Sequence, residues 1–174
     1  GIVPVSPRYL RWGTYAVGTG DVGTGTIGTG DVGMGDDAVN DEVLDTLAQW
    51  GVGALGEKMG IELISANRER VVATMPVEGN TQPLGLLHGG ANAVLAESLG
   101  SIHGTLLVAP ESVVVGIDLN CTHHRSATSG HVRGESLVLS AGRTVVCTEI
   151  RIVDDADRPV CTARLTCLVR PVAK

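Results

Sequence analysis

Two short stretches of the chain carry the residue types that acyl-group chemistry needs. Glu97 lies in VLAESLGS among apolar neighbours, and a carboxylate in such surroundings must be paired, open to a cleft, or used in a reaction. Ser101 follows four residues later and falls on the same helical face. Upstream, His88-Gly89-Gly90 opens a long apolar run. That position offers an imidazole and unpaired backbone N–H groups at the positive end of a helix dipole. Gln82 stands six residues before His88. A carboxylate base, an N-terminal cradle of N–H groups and a side-chain amide are the parts of an acyl-transfer site. Each part also has a plain structural reading. Glu97 could be solvated or salt-bridged, His88 could be a satisfied core histidine, and the glycine pair could serve close packing.

A second motif invites a different chemistry. GTGDVGTGTIGTGDVG, residues 18–33, twice fits G-x-G-x-x-G, at Gly18, Gly20 and Gly23 and again at Gly28, Gly30 and Gly33. That motif cradles a pyrophosphate only when a buried strand delivers it to the start of a helix. Here the upstream segment has two prolines and no clean alternation, and Asp36 and Asp37 downstream would repel phosphate. GTGDVG also recurs after ten residues, as low-complexity sequence does. Residues 1–33 read as a flexible Gly/Thr-rich extension, native or artificial, and residues 34–174 as the working domain.

Composition narrows the classes further. The chain has 174 residues, no Phe, two Trp and two Tyr, so its core must be aliphatic. A net charge of −6 without a basic run argues against nucleic acid as a partner. No apolar stretch reaches the ~18 residues of a membrane span, and no signal peptide is apparent. Cys121, Cys147, Cys161 and Cys167 form no C-x-x-C pair. They read as small buried thiols of a reducing cytoplasm, and no metal site is expected.

The elements that must position these residues follow from periodicity. Asn40 can cap a helix carrying Val43, Leu47 and Trp50 and ending at Gly51. MGIELISA and RVVATMPV read as strands joined at Asn67-Arg68, followed by the turn-rich loop GNTQPLGLL. Residues 89–108 are apolar or small almost all round, the mark of a helix buried on most sides. VVVGIDLNCTHH, HVRGESLVLSAG, TVVCTEIRIVDD and PVCTARLTCLVR read as four strands, with hairpin turns at Gly142-Arg143 and across residues 154–157. That order predicts an α+β domain, an antiparallel sheet with a helix on one face. The sheet's open edge and uncovered face predict a homo-oligomer.

QPLGLLHGGANAVLAESLGS, VVVGIDLNCTHHRSATSGHVRG and RPVCTARLTCLV together resemble the hotdog-fold acyl-CoA thioesterases, over roughly residues 55–169. The branch concerned uses a helix glutamate and acts on aromatic acyl-CoA. The resemblance implies a sheet wrapped around one central helix, an acyl-CoA substrate, and no cofactor beyond the CoA that the substrate carries. It implies that Glu97 attacks the thioester or activates water and that the Gly89 N–H holds the oxyanion. Gln82 and His88 would orient the carbonyl and its loop, and Ser101 would position water. Gly90 would lie against the substrate, and His123 and Arg125 near the CoA moiety. His124 has no such role and reads as an exposed residue; His103 and His131 read as surface or packing residues. Relatives often carry an aromatic residue between the Pro and Gly of QP-x-G, where this chain has Leu84, so Leu84 is expected to make the acyl pocket more aliphatic.

Helix geometry sets one further condition. Glu97 follows Gly89 by eight residues, about 12 Å at 1.5 Å per residue. A nucleophile must come within roughly 3–3.5 Å of the carbon whose oxygen the N–H holds. Either Glu97 is not catalytic, or the site combines Gly89 of one chain with Glu97 of another, in a dimer or a dimer of dimers.

Overall fold

A computed structural model describes residues 51–172. The Gly/Thr-rich block and the helix expected after Asn40 lie outside these residues. The first described element is a short helix, α1 (Gly53–Lys58), in a stretch to which the sequence pattern assigned nothing. Its end is set by Gly60 at φ 70°, a left-handed position that glycine occupies without strain. The Met59, Gly60 and Ile61 N–H groups close onto the carbonyls of Leu55, Glu57 and Gly56 at 2.9–3.1 Å.

Strands β1 (Glu62–Ala66) and β2 (Arg70–Pro76) form the expected hairpin. Its turn is held by Asn67 Oδ1, which accepts from the Glu69 and Arg70 N–H groups, both at 2.9 Å. Helix α2 (Gly89–Val108) follows, then β3 (Ser112–His123), β4 (His131–Ala141), β5 (Val145–Asp154) and β6 (Pro159–Pro171). The six strands make one antiparallel sheet in the order β1-β2-β4-β5-β6-β3. β3 therefore leaves the helix, crosses to the far edge and pairs only with β6.

Alternation decides which side of each strand meets the helix. On β5, Val146, Thr148, Ile150 and Ile152 are buried, and on β6 Cys161, Ala163, Leu165 and Cys167. Cys161 and Cys167 are buried as the sequence suggested, whereas Cys121 and Cys147 are only half-buried. α2 lies across this face in contact with β2 through β6, and Leu95, Leu99 and Leu106 are almost fully buried there. Each such side chain contributes roughly 1.5–3 kcal/mol. Close approach depends on glycine at two places. A Cβ at Gly100 would stand 2.6 Å from Leu165 Cδ2, and one at Gly134 would stand 2.5 Å from Leu99 Cδ1. The result is the α+β hotdog architecture, one long helix wrapped by an antiparallel sheet.

Residue 103 shows which helix face is deepest. His103 is fully buried and joins three elements. Its Nε2 lies 3.1 Å from the Arg68 carbonyl oxygen and its Nδ1 lies 3.1 Å from Ser136 Oγ. A carbonyl only accepts, so Nε2 carries the proton. Burial lowers the imidazole pKa, against the opposing pull of its hydrogen bonds. The packing role read for His103 is the observed one, whereas His131 is exposed.

Candidate active site

The loop before α2 is built to present the helix N-terminus. Asn80 Nδ2 donates to the Met59 and Pro76 carbonyls at 2.7 and 2.9 Å, and the Asn80 carbonyl accepts the His88 N–H at 2.9 Å. Within the loop the Gln82 N–H donates to Leu86 O at 2.8 Å, and Gln82 Oε1 accepts from the Leu84 N–H. The Gln82 side chain thus folds over its own turn. Leu84, at the tip, is 81 % exposed.

His88 caps α2. Its backbone is extended and its Nδ1 accepts the Gly90 N–H at 2.8 Å. The Ala91 N–H turns back to the His88 carbonyl at 2.9 Å. The Gly89 N–H has no acceptor among the described residues. One free donor at the positive end of a twenty-residue helix is suited to hold an oxyanion.

The end of β3 closes on the same point. A Cβ at Gly89 would stand 3.0 Å from His123 Nε2. On the other side of the ring, His123 Nδ1 lies 3.4 Å from Asn92 Nδ2. Asn92 is 3 % exposed and its Oδ1 is buried without a partner among the described residues. Sequence reasoning placed His123 near the CoA moiety and overlooked Asn92, whose signal was a polar residue inside the apolar run GGANAVL. Arg125, two residues beyond β3, is exposed. His124 is exposed as read, with Nε2 2.9 Å from Thr162 Oγ1.

Glu97 lies farther along α2, half-buried, with its carboxylate turned to β3 at Gly116. It borders an open, mostly apolar pocket of about 320 Å³ that Leu55, Gly56, Ala93, Val94, Ser98 and Leu119 also line. Burial pushes the Glu97 carboxyl above its ordinary value, and a hydrogen bond from Ser101, one turn on, opposes that shift. Beneath them, the Cys167 thiol is pushed up to about 11 by burial first and by the Glu97 charge next.

The structure therefore gathers the predicted residues in two groups. Gln82, His88, Gly89, Gly90 and His123 surround the start of α2, with Leu84 and Arg125 exposed in the adjoining loops. Glu97 and Ser101 sit beyond them on the helix, about 12 Å on for Glu97. Among the described residues no cluster of three or more His, Cys, Asp or Glu could hold a metal ion, and no helix is long and apolar enough to cross a membrane.

The chain is similar to known proteins. A family model described as the thioesterase superfamily matches residues 84–161. The proofreading thioesterase EntH of Cronobacter turicensis is 45 % identical over 127 residues, 72 % of this chain and 93 % of that protein. The 1,4-dihydroxy-2-naphthoyl-CoA hydrolase of Escherichia coli is 42 % identical over 124 residues, 71 % of this chain and 91 % of that protein. A crystal structure of a Haemophilus influenzae thioesterase superimposes with a TM-score of 0.70 at 32 % identity, covering 76 % of this chain and 92 % of that one. The fold and these likenesses define a thioester hydrolase of hotdog architecture. The chain belongs to the thioesterase superfamily.

Proposed function

We propose that this enzyme hydrolyses an aromatic acyl-CoA, of hydroxybenzoyl, phenylacetyl or dihydroxynaphthoyl type, to the free acid and CoA in the cytoplasm. The observation that carries the reading is the open Gly89 N–H at the α2 N-terminus, paired with a half-buried carboxylate on the same helix. In this mechanism the thioester oxygen accepts from the Gly89 N–H, and the Gln82 amide and the His88 cap hold the carbonyl in line. Glu97 adds to the thioester carbon or removes a proton from attacking water, and Ser101 keeps the carboxylate aimed. Negative charge that develops on the carbonyl oxygen meets a fixed dipole, which needs no reorganisation during the reaction. Protein groups suffice, since CoA is part of the substrate.

One chain cannot close this site on itself, because about 12 Å separates its Gly89 and Glu97. The active unit is accordingly a homo-oligomer in which Gly89 of one protomer faces Glu97 of its partner. The open β3 edge favours such an assembly, with Val115 and Ile117 52 % and 59 % exposed. Likeness to a proofreading thioesterase supports a second reading, release of misloaded groups from an acyl or aryl carrier protein. A third, acyl-CoA sensing without turnover, lacks a basic patch or an attached DNA-binding segment in the described residues.

The deciding experiment measures free thiol released from matched aromatic and aliphatic acyl-CoAs and from the same groups on a carrier protein. Faster cleavage of the aromatic CoA esters is the expected result. Preference for the carrier-bound groups would select the second reading, and binding without thiol release would select the third.

A further inference from the structure

We propose that Gly116 is a positioning residue for the reaction: it leaves the space on β3 in which the Glu97 carboxylate is seated against the sheet. This rests on the reading of Glu97 as the reacting carboxylate. A Cβ at residue 116 would overlap Glu97 Oε1 and stand 3.1 Å from Cδ and 3.4 Å from Oε2. Other glycines at the helix–sheet contact face neutral groups, Gly100 meeting the Leu165 side chain and Thr148 Oγ1. Gly104 would meet Val114, and Gly134 would meet Leu99 and Leu95. Gly116 instead faces an ionisable group.

Backbone conformation does not account for this glycine, because Gly116 is not among the positive-φ residues. Glycine also weakens a strand interior. Room for the carboxylate supplies the reason. The β3–β6 ladder shifts register at the same place: Gly116 pairs with Cys167 and Asp118 pairs with Thr166, leaving Ile117 as the extra residue. Bulges of this kind bend a strand and re-aim its side chains beside working sites. Cys167, 1 % exposed, forms the floor. As a neutral thiol it brings no second charge under the carboxylate. Seated there, Glu97 is partly stripped of water and held toward the pocket that it lines.

An alanine methyl at residue 116 would collide with the far end of a flexible side chain rather than with backbone. The fold should persist while the carboxylate swings out into water. With 4-hydroxybenzoyl-CoA as the probe, Gly116→Ala is expected to lower kcat by about 100-fold, the cost of a misplaced reacting group, with KM within about twofold. The acid limb of kcat/KM should also move to lower pH, because a solvated carboxylate ionises more readily. If Gly116→Ala lowers Tm, adding Glu97→Ala should restore it, since the methyl then has room. Wild-type kcat and acid limb in Gly116→Ala, beside an inactive Glu97→Ala, would overturn the seat while leaving the role of Glu97 standing. A double variant whose Tm stays as low as that of Gly116→Ala would overturn it too. Full turnover by Glu97→Ala would instead overturn the reading of Glu97, and the seat with it.

Discussion

His88 Nδ1 accepts the Gly90 N–H at 2.8 Å, beside the Gly89 N–H that stands open at the head of α2. A cap normally satisfies helix donors for stability. Here the cap reaches the second residue of the helix, its ordinary target, and the first N–H stays open. In the proposed mechanism the cap steadies the helix start that presents this open N–H to the substrate oxygen.

Removing the cap should show both effects. His88→Ala is expected to destabilise the protein by about 1 kcal/mol, read as a lower urea midpoint, and to reduce turnover. His88→Asn, whose side-chain oxygen can cap in the same way, should recover most of the midpoint. Equal midpoints for wild type and His88→Ala would show that the bond contributes nothing to stability.

Gly89 and Glu97 should complement across an interface. Glu97→Ala and Glu97→Gln are each expected to lower kcat by several orders of magnitude while substrate still binds, because the carboxylate acts mainly in the transition state. Gly89→Ala should also lose turnover, since its methyl meets His123 Nε2 at 3.0 Å and displaces the ring or the helix start. Hetero-oligomers of Glu97→Ala and Gly89→Ala chains, verified by mass, should regain activity. Mixed oligomers as inactive as both parents would rule out a shared site.

His103 should make stability fall on the acid side. Its folded pKa is lowered, chiefly by burial, so the folded protein resists a proton that the unfolded chain accepts. Above the ordinary imidazole value of about 6.5 the ring is neutral in both states and contributes no slope. As pH drops through that value the unfolded chain gains the proton first, and stability declines until the folded pKa is reached. Denaturation of wild type and His103→Gln between pH 7.5 and about 5 should show a steeper loss in wild type. Parallel curves would contradict the assignment.

Leu84 tests the acyl preference. It is 81 % exposed and does not line the pocket beside Glu97 of its own chain, so any contact with the acyl group requires a site completed by substrate and a second chain. Leu84→Phe is expected to shift the kcat/KM ratio between benzoyl and short aliphatic CoA esters by about 1–3 kcal/mol. An unchanged ratio would remove Leu84 from the pocket.

Local patterning made much of this fold legible. Strand-like runs bounded by turn residues marked β1 to β6, and the run from Gly89 to Val108 marked α2 because a long stretch apolar or small almost all round is a local signal. Glu97 stood out as a candidate because a polar group inside apolar sequence must be satisfied or used. Residues 53–58 escaped because a six-residue helix between glycines has too few turns to show a period. Residues without a local signal were settled only by tertiary structure. α2 is apolar on most sides, so periodicity could not say that His103 would face Arg68 and Ser136 while Glu97 faced β3. β3 follows α2 in the chain yet pairs with β6 at the far edge, a choice fixed by long-range hydrogen bonding that leaves no local trace. That pairing sets Gly116 under the carboxylate and His123 beside Gly89, because strand order decides which distant residues share one face of the sheet.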